Sequence, residues 1–269
     1  MSNQFVAMLA LKQPAQLTGE SIVASILRQF SDKVGTVSSI GQSVAGEAIV
    51  LKVDEDLVTV MQIDQPVPDG TFDSAIASSL TWPAAKAALS EHRAHIIVAS
   101  LGTSEGLATK IATARSITYV LAAIAATTAS IGAYWTNSET VTSAERLKTL
   151  AANLSKNQFP VDLWIGMVAY TGAPIGGRQS IGMATRGLQT FLTREIEFQP
   201  AALSLGEEAG RMASIVAYLL QAGPVFKDGD TLGLTPTEKI RISCRDETTR
   251  PGVPVWQLAL ETVPSALAQ

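Results

Sequence analysis

The chain has 269 residues, 20 Lys and Arg against 24 Asp and Glu, a net charge of −4, 46% hydrophobic residues, 16% charged residues and one cysteine. That balance excludes disorder, and the length suits one large domain or two of about 100–150 residues each. The lone Cys244 excludes an internal disulfide or a Cys-rich metal framework, and mild acidity without a basic cluster argues against a nucleic-acid partner.

In chain order, residues 5–11 read as a buried strand closed by Pro14. Thr18 caps a helix whose apolar positions Ile22, Val23, Ile26, Leu27 and Phe30 share one face. Residues 34–40, 48–53 and 57–63 read as strands, the last two joined by the acidic turn Asp54-Glu55-Asp56. Residues 72–79 are expected to be helical. Thr81 caps a second short helix with Pro83 in its first turn, and 94–100 return to a strand. Ser104 then caps a long Ala-rich helix running to Thr128. Residues 131–135 form a strand, and Thr142 or Ser143 caps a helix carrying Leu147, Leu150, Ala151 and Leu154. Strands follow at 161–171, 180–185 and 195–199. Residues 205–221 carry Met212, Ile215, Val216, Leu219 and Leu220 at helical spacing and stop at Gly223-Pro224, and 239–244 and 255–260 close as strands.

Both sides of the long helix thus read strand, helix, three strands, helix, strand. The expected fold is α+β, with two ferredoxin-like pseudo-repeats fused into one compact unit: a first half at 1–101, a connecting buried helix at 102–129 and a second half at 130–269. The uncharged run 116–135 is mostly Ala, Thr, Ser and Gly, weaker than the ~20 strongly apolar residues of a span, so no membrane partner is expected. The apolar run 6–11 is soon followed by Lys12, Gln13 and Pro14, unlike a secretory leader, which favours the cytoplasm.

His92 and His95 are the only histidines. With Glu195 and Glu197 they could offer zinc N and O ligands, but nothing in the spacing demands it, and structural roles are the alternative; no metal and no cofactor is expected. Glu195 and Glu197 alternate with Ile196 and Phe198 and project from one face of a strand. Acid–base or cation work is one reading, and a solvated face neutralised by Arg186 and Arg194 is the other. The glycine-rich stretch 172–178 lies between strands, as a hairpin or binding loop does, and not before a helix as a phosphate cradle would. Residues 41–46 read as a turn. Trp82, Trp135, Trp164 and Trp256 stand at element ends, where large aromatics close a core or line a pocket.

Trp82-Pro83, Ala94-His95-Ile96-Ile97-Val98, Gly132-Ala133-Tyr134-Trp135, and Gly187-Leu188 with Phe191 and Glu195-Ile196-Glu197 together resemble the pattern of a bacterial family, domain of unknown function 4261, over most of the chain. Leu192-Thr193 departs from that pattern, which has a glycine after the phenylalanine. The resemblance implies a bacterial soluble protein, sometimes found in secretion or toxin neighbourhoods, and carries over no catalytic residue.

The expected function is that of a non-enzymatic, cytoplasmic module that binds another protein, with toxin neutralisation as one concrete form. Its binding residues are expected to be His95, Trp135, Glu195 and Glu197, where the halves meet. The alternative is an enzyme or small-ligand binder using His95 with Glu195 and Glu197 in a cleft between the halves. A structural homo-oligomer, marked by symmetric burial of an apolar patch, is a third reading.

Overall fold

The computed structural model describes residues 4–42, 48–233, 238–246 and 252–262; the turn expected at 41–46 lies mostly outside them. The class is α+β, and contacts divide the chain into two units, Met1–Gly166 and Met167–Gln269.

The first unit opens with β1 (Val6–Leu11), followed by α1 (Gly19–Phe30). Thr18 Oγ1 accepts the Ser21 N–H while Ser21 Oγ accepts the Thr18 N–H, a reciprocal cap that satisfies two donors at the start of α1. Next come β2 (Val37–Gln42), β3 (Ala48–Val53), β4 (Asp56–Ile63), the short helices α2 (Asp73–Ala77) and α3 (Ala85–Leu89), and β5 (Ala94–Ser100). The long helix α4 (Leu107–Ala125), β6 (Ser130–Trp135), β7 (Thr140–Ser143), α5 (Ala144–Asn153) and α6 (Val161–Trp164) complete the unit. The seven strands lie in the order β2-β3-β4-β5-β1-β6-β7, antiparallel throughout.

Strand alternation decides what covers each face. Ala7, Leu9 and Leu11 of β1 are buried on one side, where α1, α4 and α5 pack. Ala10 points to the other, into a cluster with Phe72, Leu89, Ile131 and Tyr134 under α2 and α3. Gly132 is glycine for a steric reason: a Cβ there would come within 2.5 Å of the Thr142 carbonyl oxygen and 2.6 Å of the Trp82 ring.

Two expectations change here. The strand at 130–135, read in the sequence as opening a second half, pairs with β1 (Leu9 opposite Ala133) and belongs to the first sheet. Chain order shows which elements follow one another and not which strands are neighbours. The long helix begins later than expected and without a side-chain cap, at Gly106, because Ser104 is engaged elsewhere. Its hydroxyl meets Thr113 Oγ1 at 2.8 Å, and Thr113 and Ser116 each donate to the Asp56 carboxylate at 2.7 Å. One carboxylate of β4 thereby sets the register of α4. By length and composition α4 could cross a membrane, but 67% of that apolar window is buried.

The second unit is built from β8 (Gly166–Ile175), β9 (Arg178–Arg186), α7 (Leu188–Leu192), β10 (Glu195–Ala201), α8 (Leu205–Ala222), β11 (Thr231–Leu232), β12 (Glu238–Arg245) and β13 (Val255–Thr262). Its sheet runs β11-β12-β13-β10-β9-β8, with β10 parallel to β13. Gly176 and Gly177, at φ 59° and 76°, turn β8 into β9, so the glycine-rich stretch is a hairpin. Residues 161–171 do not form one strand: Val161–Trp164 is a helical turn after Pro160, and a short apolar run carries no period that separates the two. In α8, Ser204 and Glu207 cap each other, and Met212, Ile215, Val216, Leu219 and Leu220 are buried as the spacing predicts.

Candidate functional site

Glu195 and Glu197 sit at the start of β10. Between and beyond them, Ile196 and Phe198 face the core in register with Trp256 and Leu258 of β13. Neither carboxylate is solvated, for Glu195 is 2% and Glu197 5% exposed. The solvated-face reading is therefore corrected.

Glu195 is saturated with donors. Its Oε2 accepts from the Thr185 hydroxyl at 2.6 Å and the Leu188 N–H at 3.1 Å, and its Oε1 from the N–H groups of Gly187 at 2.7 Å and Gln189 at 3.3 Å. Gly187, at φ 93°, adopts the left-handed conformation that aims these successive N–H groups at one point. The carboxylate supplies, from a neighbouring strand, the cap that α7 lacks in its own side chains. Arg194, one of the two arginines expected to neutralise the pair, donates instead to the carbonyls of Arg245 and Val255 and lies 3.9 Å from the Asp246 carboxylate.

Glu197 works with Tyr170 of β8. The Tyr170 hydroxyl donates to the Phe198 carbonyl at 3.0 Å, and the ring fills the space over Gly182, where a Cβ would lie 2.5 Å from it. Burial, then the charge and hydrogen bond of Glu197, then the charge of Glu208 hold this phenol far above its usual range. Glu195 and Glu197 line a recess with Ala184, Thr185, Val253 and Val255 that holds about 200 Å³ even counted to its open mouth.

A third carboxylate escaped the sequence reading. Glu208, in the first turn of α8, is 0% exposed, and neither carboxylate oxygen has a hydrogen-bond partner among the described residues. Burial pushes its pKa up to about 7, with Arg211 opposing the rise and Glu238 adding to it. Arg211 Nε donates to Glu238 Oε1 at 2.6 Å, while Glu238 Oε2 is also buried and unpartnered. A signal for Glu208 existed: it stands four, seven, eight and eleven residues before Met212, Ile215, Val216 and Leu219, on the apolar stripe of the helix.

His95 and Trp135 belong to the first unit, and Glu195 and Glu197 to the second. His95 is buried on β5 and its Nδ1 donates to the Gln65 carbonyl at 2.8 Å. His92 is bound at both nitrogens, Nδ1 donating to the Leu89 carbonyl at 2.6 Å and Nε2 accepting the Val67 N–H at 2.9 Å. Trp135 is 0% exposed, its ring centroid 6.2 Å from Phe5 and 6.3 Å from Trp164, as a core-closing aromatic. Among the described residues no group of three or more His, Cys, Asp and Glu is placed to hold a metal ion.

Residues 184–259 match the model of the family described as Domain of unknown function (DUF4261), which is the family the sequence resembles. The matched segment contains Glu195, Glu197, Glu208, Arg211 and Glu238; the resembling residues around Trp82, His95 and Trp135 lie before it. No curated protein matches the chain, and no solved structure does.

Proposed function

We propose that this chain, carrying the DUF4261 domain of unknown function in residues 184–259, is a non-enzymatic module that binds another protein in the bacterial cytoplasm, with toxin neutralisation as a concrete form. The observation that carries this reading is the state of the carboxylates singled out by the sequence. Glu195 has four donors and no capacity left for a substrate. The recess beside it, at about 200 Å³, is smaller than the ~300–1,000 Å³ of ordinary small-molecule sites. His92 likewise spends both nitrogens on backbone groups. Polar groups committed to the fold leave recognition to the surface, which is how protein-binding modules work.

The test is to cross-link the full chain in its own cells, identify the protein attached to it, prepare that protein separately and titrate the two. A stoichiometric complex with Kd below about 1 μM is expected. Turnover of a small molecule by the purified chain alone, lost in Glu197→Gln, would overturn the reading.

One observation favours a second reading, an enzyme or small-ligand binder. Glu208 is buried, unpartnered and poised near 7, where a general acid or base works best. In that reading Glu208, Glu197 and Tyr170 act, and the saturated Glu195 only positions the strand.

For the fold, we infer a ferredoxin-like core within the first unit. Supporting it are the antiparallel order β4-β5-β1-β6 and the connections β1-α1 and β5-α4-β6, which follow the split βαβ pattern with β2 and β3 as an added hairpin.

A further inference from the structure

Helix α4 follows β5 through the loop 101–106, and its N-terminus is left open. Ser104, the hydroxyl that the sequence offers as its cap, is held by Thr113 Oγ1 at 2.8 Å, and no side chain bonds to the first turn. The first helical bond runs from the Lys110 N–H to the Gly106 carbonyl at 3.1 Å, so the N–H groups of Leu107, Ala108 and Thr109 have no acceptor among the described residues. Nineteen residues of aligned dipoles place a partial positive charge there. Access is free: Ala108 and Thr109 are exposed, and a Cβ added at Gly102 or Gly106 would meet nothing within 4 Å.

Lys110 is the independent sign of a ligand. It is 9% exposed, yet its ammonium makes no hydrogen bond and no ion pair among the described residues. A lysine buried this far is ordinarily paired. Lys12, Lys52, Lys148 and Lys239, all more exposed, each hold a carboxylate. Asp56, which meets α4 further along, already accepts the hydroxyls of Thr113 and Ser116. Long side chains on a helix lean toward its N-terminus, so Lys110, the fourth residue of α4, is directed at the three open N–H groups.

We propose that the N-terminus of α4, together with Lys110, binds a phosphate group, either inorganic phosphate or the phosphate of a small phosphomonoester. Three N–H donors and one ammonium match a tetrahedral dianion, which has an oxygen for each, better than a carboxylate with its two. The helix end supplies direction, and the lysine supplies a full charge. Glu105 stands one residue outside the cap position, is exposed and makes no bond to the first turn, so water and salt screen its charge. These residues all lie in the first unit, outside the segment that matches the family model, and the inference is independent of the protein-binding function proposed above.

Titration of the full, isotope-labelled chain with sodium phosphate at constant ionic strength, followed at the amides of Leu107, Ala108 and Thr109, tests it. Saturable shifts with a Kd at or below about 1 mM are expected. Lys110→Met keeps the buried stem and removes the charge, and should raise Kd at least about tenfold without lowering the unfolding midpoint measured in the absence of phosphate. Lys110→Arg should still bind. Ala108→Asp sets a carboxylate beside the open N–H groups, so it should raise the unfolding midpoint and abolish the shifts, and it decides the matter should Lys110→Met fail to fold. Glycerol phosphate separates the two sources: tighter binding than inorganic phosphate assigns the site to a phosphomonoester, and equal or weaker binding assigns it to free phosphate. No saturation by about 20 mM phosphate, an unchanged Kd in either folded variant, or the same shifts from sodium chloride alone overturns the proposal.

Discussion

Replacing Glu208 by Gln removes an ionisable group without removing its volume. The carboxyl moves from 4.5 to about 7 on folding because the charged form is buried without a hydrogen bond. A shift of that size corresponds to about 3 kcal/mol between the protonated and ionised forms. Residual solvent screening reduces the expected effect on stability to about 1–2 kcal/mol. The sign follows from proton uptake. Between about 4.5 and about 7 the folded chain holds a proton that the unfolded chain has released, so the contribution of Glu208 to stability falls as pH rises and is lowest above 7. Glu208→Gln mimics the protonated form. It should match wild type near pH 4.5 and exceed it by about 1–2 kcal/mol at pH 8. Urea unfolding of both proteins at the two pH values measures the difference of differences, in which the opposite contributions of Glu207 and Glu261, whose pKa values are lowered, cancel. A variant equally displaced at both pH values, or less stable at pH 8, would show that Glu208 is not a buried, unpaired carboxylate in solution.

Three further outcomes are expected. Glu195→Gln offers one acceptor oxygen in place of two and turns an amide N–H toward backbone donors, so it should cost about 2–4 kcal/mol and speed amide exchange at Gly187, Leu188 and Gln189; unchanged exchange there would remove Glu195 as the cap of α7. Leu219→Ala empties a fully buried site on α8 and should cost about 2–5 kcal/mol in denaturant unfolding, against no change if the helix lies off the core. Gly132→Ala must push against the Thr142 carbonyl and the Trp82 ring and should cost about 1–3 kcal/mol; a thermal midpoint equal to wild type would mean that Trp82 does not lie on β6.

How much of this was legible beforehand depends on whether the cause is local. Helix α8 could be read because its apolar spacing and the Gly223-Pro224 stop both lie within its own residues, although Ser204 as its cap passed unnoticed. The strands β1, β3, β4, β5, β6, β12 and β13 were legible for the same reason. Helix α7 was not, since five residues show no period and the anion at its start comes from Glu195, outside the helix. β7, four residues between a turn and a helix cap, gave as little signal. At the site, the alternation of Glu195 and Glu197 with Ile196 and Phe198 was visible, but their burial was not, because it depends on what covers the second face of the sheet. Glu208 could have been found by asking why a carboxylate sits on an apolar stripe. The topology was beyond reach, because the two partners of β1 lie far along the chain.

That last arrangement bears on synthesis. β1 leaves the ribosome well before either of its neighbours, since its two edges are closed by residues 94–99 and 130–135. At about 5–20 residues per second, the nascent chain waits on the order of ten seconds with an apolar strand lacking both partners. A fragment ending before β6 would keep one side of β1 open permanently, so truncation in the loop after α4 should yield an aggregating product and not a smaller folded domain. The interior position of β1 makes synthesis through residue 135 a condition for completing its sheet, and long-range pairing of this kind makes that folding slow.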